Sequence, residues 1–416
     1  MPTPATFAPA KQFLGIANET VLGTAVVPVF TQLIDSLTPS DKPTFLKDQA
    51  WRGSMGTNSF NQVAGVKHAE VDLGGPLFAD AMGFFFRNIL GDVATAGTPT
   101  GSGATTLSSA AVAGATSIVT VASIPAATLV QIGTGATAEV VTTGTPSGAG
   151  PYTIPITTPA TGLAFGHASA QAVTPVMGPY TYAWSLLNSG GGQPIGHTLT
   201  HYLGPTATVG ARAYPGFCLT ALDLKFNVES ELLTWDGKGV SWPSVPAAST
   251  PTANGTAIKP IASWQTTIGI GGPASGGTLV PTVTDGEINL VREAVPIYTA
   301  TGVQTPYIIQ RGQFNATGKL NFSAVSDESA LLYMLNNTQP QVQVITSNGL
   351  SGANLLSVTV DMQQCAFVAS DPDTSKTAVG YQTSFEPVFN TTNAGGSGGQ
   401  SPIRISVTCN VPPGTY

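Results

Sequence analysis

Few side chains in this sequence stand at spacings that could do chemistry. His197-Thr-Leu-Thr-His201 puts two imidazoles on one face of a strand, the beginning of a zinc site. Zinc needs at least a third protein ligand and none is in view, so the pair reads as polar strand residues. Asp371-Pro372-Asp373 has the acidic spacing of a calcium loop, but the further ligands and terminal Glu of an EF-hand are missing. It reads as a hairpin turn. The glycine clusters Gly133–Gly135 and Gly269–Gly272 neither open a helix nor precede Lys-Ser/Thr, so they are turns and not phosphate cradles. No nucleophile elbow occurs, and no pair of carboxylates can be given acid and base roles. Asn18-Glu-Thr20 and Asn315-Ala-Thr317 match the glycosylation triplet without a secretory signal to give it meaning. The sequence assigns no catalytic, cofactor-binding or metal-binding residue and reads as non-enzymatic.

Composition points toward assembly. Only 9% of the 416 residues are charged, against about a quarter in ordinary globular domains. Thr, Ser, Asn, Gln and Gly must therefore cover much of the surface, which suits burial among neighbours better than life as a free monomer. The net charge of −7 argues against a surface that grips nucleic acid. Cys218, Cys365 and Cys409 cannot all pair within one chain and lack zinc spacing, so they read as buried thiols in a reducing compartment. Met1–Gln12 reads as a flexible arm without the apolar core of a signal peptide, and no run is long enough to span a bilayer.

The element that organises the chain is Val66–Asp92. Ala69, Val71 and Leu73 alternate with His68, Glu70 and Asp72, the period of a half-buried strand. Gly75-Pro76 then starts a helix whose apolar stripe is Leu77, Phe78, Ala81, Met82, Phe84, Phe85 and Ile89. Gly91 stands where a left-handed cap falls, and Arg87 suits the negative end of the helix dipole. A second copy of this unit runs from Gly318 to Asn337. Leu320, Phe322 and Ala324 alternate with polar residues, Ser326 is the N-cap, Asp327 and Glu328 occupy the first turn, and Asn336-Asn337 ends the helix. A further echo sets Leu222–Glu229 beside Leu356–Gln363, each followed by a strand that ends near a proline, Pro243 in one case and Pro387 in the other. A duplicated domain is the economical reading.

The remaining segments arrange themselves around these copies. Residues 1–92 and 177–245 make a first, discontinuous domain, 246–256 a Pro/Ala/Ser/Thr-rich linker, and 257–416 a second domain. Residues 93–176, almost free of charge, read as an inserted small β-domain with strands at Ser117–Val121, Leu129–Ile132, Ala138–Thr142 and Tyr152–Ile156. Leu37–Lys42 reads as a turn-rich link, Arg52–Gly65 as a Gly-rich loop, and Leu355–Phe367 as one strand.

Gly15–Pro28 (GIANETVLGTAVVP), Trp51–Gly56, Gly65–Pro76 and Gly286–Glu293 resemble the major tail tube proteins of long, non-contractile-tailed bacteriophages, especially those of actinobacterial hosts. The resemblance implies a mainly β chain, a duplicated tail-tube fold of β-sandwich type with one flanking helix per copy, plus the insert outside the tube. It implies a structural virion protein without cofactors, made in the host cytoplasm and stacked as rings of six domains around a channel for DNA. With two copies per chain, three chains would complete a ring. Its partners would be itself, the tape measure protein and genomic DNA in the lumen, bound without sequence specificity, and the tail terminator and tip proteins, with no membrane. A channel that must not hold DNA should be neutral to acidic. Asp223, Asn227, Glu229, Thr359, Asp361 and Gln363 are therefore the expected lumen-facing residues, with the alternating apolar residues turned to the core. Arg52, Met55, Asn58, Phe60 and Gln62 are the expected ring-to-ring contacts, in a loop whose length suits a role at a neighbour. The rival reading is a secreted or S-layer-like β-rich surface adhesin.

Overall fold

Long strands with one apolar face dominate the computed structural model, which describes residues 12–50, 53, 55, 61–96, 104–126, 128–134, 137–175, 179–203, 211–229, 231–247, 258–323, 329–350, 355–374, 379–411 and 415–416. The chain is mainly β, with antiparallel sheets and two short α-helices among the described residues. It divides into two compact units. One comprises Met1–Ala94, Trp184–Asn348 and Val358–Ser406, and the other Thr95–Ala183, Gly349–Ser357 and Val407–Tyr416.

The first unit is built on eight strands that we number in chain order. They are β1 (Ser36–Asp48), β2 (Asn61–Pro76), β3 (Arg212–Asn227), β4 (Thr234–Ser241), β5 (Val283–Ile297), β6 (Ile308–Ser323), β7 (Cys365–Asp373) and β8 (Gly380–Pro387). Helix α1 (Gly83–Ile89) follows β2, and helix α2 (Ser329–Leu335) follows β6. The eight strands form one antiparallel run in the order β1-β2-β4-β3-β5-β6-β8-β7. It is two quartets joined edge to edge through β3 and β5, and the quartets have the same strand order.

They also share their irregularities. The β1·β2 hairpin breaks register between Pro43 and Phe45, whose partners are Lys67 and Ala64. The β5·β6 hairpin breaks between Arg292 and Ala294, whose partners are Phe314 and Arg311. In both, one residue on the first strand faces two on the second, a β-bulge. A glycine lies in the longer gap each time. A Cβ on Gly65 would lie 3.2 Å from that of Thr44, and one on Gly312 would lie 3.0 Å from that of Glu293. The bulge brings the skipped residue over the opposite backbone, and only glycine leaves it room. The β3·β4 pair breaks between Leu219 and Ala221, and β7·β8 between Phe367 and Ala369.

The two helices are handled differently. Phe84, Phe85 and Phe86 of α1 are wholly buried, against Phe30, Trp235 and Trp184 respectively. Helix α1 starts at Gly83 and not beside Pro76, because β2 keeps pairing with β4 through Pro76 and Leu77 N–H donates to Leu233 O. Leu77, Ala81 and Met82 of the expected stripe are buried in turns. Gly91 adopts the left-handed conformation at φ +95°. Helix α2 buries none of its residues and ends on left-handed Asn337, whose N–H donates to Met334 O. Its expected cap, Ser326, Asp327 and Glu328, lies outside the described residues.

A second sheet runs Thr266–Ile270, Val342–Ser347, Ser357–Met362, Arg404–Cys409, Tyr180–Leu186, Gly91–Ala96. The second unit carries a six-stranded sheet of its own, ordered Thr105–Thr106, Ala172–Pro175, Leu129–Ile132, Glu139–Thr143, Tyr152–Thr158, Ser117–Thr120. Ile118, Val130, Ile132, Val141 and Ile154 form the centre of its core. Glu139, buried there, accepts from Ala164 N–H at 2.7 Å and lies 2.7 Å from His167 Nε2.

Three sequence expectations change. Leu37–Lys42 is strand, not link: Pro39 and Pro43 stand in an edge strand, where a missing N–H can face outward. Asp371-Pro372-Asp373 is likewise the end of edge strand β7 and not a turn. Leu355–Phe367 is two strands in two sheets, divided at Gln363-Gln364.

Candidate functional site

The surfaces with most chemical character are one face and the two outer edges of the eight-strand run. Leu222, Leu224 and Phe226 of β3 turn into the core, while Asp223, Lys225 and Asn227 turn outward. Register carries that outward face across neighbouring strands. Asp223 stands opposite Asp236 and Asn289, Lys225 opposite Glu287, and Glu287 opposite Lys319. The same face continues through Lys238↔Asp72, Lys42↔His68 and Asp371↔Gln382.

Four lysines on this face (Lys42, Lys225, Lys238, Lys319) meet nine carboxylates (Glu70, Asp72, Asp223, Asp236, Asp285, Glu287, Asp371, Asp373, Glu386), a net charge of −5. Each lysine has an acid at hand. Lys42 lies 3.1 Å from Glu70 and Lys225 lies 2.8 Å from Asp236, while Lys238 and Lys319 stand opposite Asp72 and Glu287. These exposed pairs add little stability, but they neutralise every cation on the face. Asp223 accepts from Asn289, and Asp285 from Asn321. Partial burial raises the Asp223 pKa from its usual value, with Lys225 opposing. The hydrogen bond to Asp236 raises that of Lys225.

The expected lumen residues fall on two sheets. Asp223 and Asn227 lie on the face just described, with Glu229 exposed beyond the end of β3 and its N–H on Asn227 Oδ1 at 3.1 Å. Thr359 and Asp361 lie in Ser357–Met362 of the second sheet, with Gln363 just after it. Asp361 there accepts from Gln341 at 2.6 Å, Gln363 at 2.8 Å and Gln343 at 3.2 Å. The echo that set these two strands side by side is therefore corrected: register and bulge match β3 to β7, because alternation reports a buried face and not which sheet owns it. Asp285, Glu287, Asn289, Lys319 and Asn321 belong to the face and were not singled out, although the alternation in Gly286–Glu293 and Gly318–Ser323 carries that signal. Of the expected ring-to-ring contacts, Met55 and Gln62 are exposed. Arg52, Asn58 and Phe60 lie outside the described residues.

The joint between the quartets has its own chemistry. Arg292 and Arg311, at the β5·β6 bulge and each 4% exposed, reach the C-terminus of α1. Arg292 donates to Ile89 O at 3.0 Å and Arg311 to Asn88 O at 2.8 Å, satisfying carbonyls that a helix end leaves open. Arg87 stands in the last turn of α1 as expected, while the donors to these two carbonyls come from Arg292 and Arg311. Burial, then the neighbouring Arg311, lowers the Arg292 pKa to about 10. Asn88 is the hub: its Nδ2 donates to Phe217 O at 2.9 Å and lies 2.6 Å from His197 Nδ1. Its Oδ1 accepts from Leu219 N–H and from Arg311, each at 2.8 Å. Burial, then Arg87 and Arg311, pushes the His197 pKa well down, so this histidine is a neutral core residue. His201 meets Gln12 at 3.3 Å. Cys218, Cys365 and Cys409 are buried.

No protein-family model matches this chain, and a search of curated proteins finds no match to it.

Proposed function

We propose that this chain is a structural subunit that polymerises with itself into stacked rings around a channel, the part played by the major tail tube protein of a long-tailed bacteriophage. The observation that carries the reading is the eight-strand run: two quartets with the same strand order and the same two bulges, sharing one outward face of net charge −5. Such quartets are what duplication of a tube module leaves, and three chains would then supply six modules to a ring. Repetition of one joint around an axis closes a ring when the rotation permits, and it consumes sheet edges that would otherwise aggregate.

The acidic face suits a bore. A duplex passing many rings would be slowed by each unmatched Lys or Arg, because phosphate contacts add along the tube. Here every lysine is matched and five carboxylates remain in excess, so the face repels the duplex. The sequence resemblance of Gly15–Pro28, Trp51–Gly56, Gly65–Pro76 and Gly286–Glu293 to tail tube proteins points the same way. In this reading the tape measure protein and DNA occupy the lumen, the terminator and tip proteins close the ends, and the insert stands outside the wall. Negative-stain electron microscopy of the purified protein tests it. Hollow rings or tubes are expected; a uniform field of monomers would return the adhesin reading.

A further inference from the structure

The joint between the two quartets within one chain is a template for a joint between chains. Inside the chain, β3 pairs with β5 from Ala221↔Val291 to Asn227↔Asp285. By matched register and bulge, β7 is the counterpart of β3 and β1 the counterpart of β5. Both counterparts are the outer strands of the run. We infer that β7 of one chain pairs antiparallel with β1 of the next, in the register Ala369↔Lys42, Asp371↔Ser40 and Asp373↔Thr38. This rests on the reading of the chain as a self-assembling subunit and adds to it which edges meet and where.

The prolines support that register independently. Val228 N–H donates to Thr284 O at 3.0 Å. Since N–H groups alternate in direction along a strand, the even-numbered residues of β3 and β5 face each other across their joint. Leu224 and Ile288 therefore share a hydrogen-bonded rung. Their counterparts on the outer edges are Pro372 and Pro39. Neither can donate, and a proline on such a rung holds the partner strand off. In the inferred register both fall on one rung between Ser370↔Asp41 and Thr374↔Leu37, and Pro43 falls just past the Ala369↔Lys42 end of the ladder. Sliding by two residues would interrupt two rungs instead. No acid meets another acid across the joint, and Lys42 stands diagonal to Asp371.

Exposed apolar groups supply the second argument. Within the chain, the β5·β6 hairpin lays Arg292 and Arg311 over the C-terminal carbonyls of α1, and Ile89 at its end is wholly buried. The counterpart of Ile89 in α2 is Leu335, which is 66% exposed. The counterpart of the covering hairpin is β1·β2, which exposes Phe45, Leu46 and Val63 just beyond its bulge. Each is what the other lacks. Packing sizes fit as well. Inside the chain, Ala294 packs against a cluster of Cys218, Trp242 and Ile309. The corresponding positions between chains set Phe45 against Ala366 and Val388, exchanging large for small. Where α1 needs buried arginines for its carbonyls, α2 ends on its own Asn337 turn, so an apolar cover there leaves fewer groups orphaned.

Paired cysteines test the register. Directly opposite residues have Cβ atoms about 4.5–5.5 Å apart and diagonal ones about 7–8 Å, and a disulfide needs about 3.5–4.5 Å. The double variants Ser40→Cys with Asp371→Cys, and Thr38→Cys with Asp373→Cys, should convert to interchain disulfides under mild oxidation. Ser40→Cys with Asp373→Cys should remain monomeric on a non-reducing gel. The native cysteines are buried and give no background. Closed rings by microscopy without these cross-links, or with equal cross-linking of the offset pair, would overturn the inference and leave the ring reading standing. Cross-linked open chains would uphold the inference and remove the ring. Monomers without cross-links would remove both.

Discussion

Asn88→Ala should cost the first unit a large share of its stability. Asn88 is 1% exposed, and four groups depend on it: Leu219 N–H, Phe217 O, His197 Nδ1 and an Arg311 guanidinium nitrogen. Truncation leaves the two backbone groups and the guanidinium short of a partner in a site closed by Phe84, Phe86 and Phe217, all wholly buried. At about 1–3 kcal/mol for each buried neutral orphan and about 1.5–3 kcal/mol for the charged bond, the expected loss is roughly 4–9 kcal/mol. A water entering the cavity would bring it to the lower end. Asn88→Asp keeps both accepting roles and sets a carboxylate beside Arg311, so its loss should be smaller. Tryptophan fluorescence during urea unfolding is the assay, since Trp184, Trp235, Trp242 and Trp264 all belong to the first unit. A loss under about 1 kcal/mol for Asn88→Ala would refute the reasoning, because that is the worth of one ordinary hydrogen bond.

Three more outcomes are expected. His197 has a folded pKa well below 6.5, so the unfolded chain binds its proton first, and the stability it supports is full above pH 6.5 and falls as pH drops. The loss sets in as pH falls through 6.5; raised Glu19 acts in the opposite direction, so the comparison is with His197→Gln, which should lack that part of the acid limb in urea titrations. Leu335→Asp should change the unfolding of the single chain by no more than about 0.5 kcal/mol, yet abolish assembly by size-exclusion chromatography. Asp285→Lys with Glu386→Lys takes the sheet face from −5 to −1 and leaves two lysines without an excess of acid around them, and assembled particles of this variant should retain a labelled DNA duplex at low salt, with release as salt rises; the parent assembly should retain none.

How far the sequence revealed all this depends on how local each cause is. The alternation at His68–Leu73 and the left-handed Gly91 are set by neighbours in the chain, and both were legible. The start of α1 was not, because pairing of Gly75 and Pro76 with Trp235 and Thr234 holds the chain extended past the proline. Pro39, Pro43 and Pro372 suggested a link and a turn, since nothing local says that a strand lies at a sheet edge. Arg292 and Arg311 serve carbonyls about two hundred residues away, and only the fold brings them together. Of the face, Asp223 and Asn227 were legible from period alone. Thr359 and Asp361 have the same period in another sheet, and period does not distinguish sheets.

A cryo-electron microscopy map of the assembled protein that traces individual strands tests the central claim most directly. The account predicts rings of three chains and six modules, with Asp223, Asp285 and Glu287 turned into the bore and β7 of each chain beside β1 of the next. A ring whose bore is lined by another surface, above all one of unmatched lysine and arginine, would contradict it.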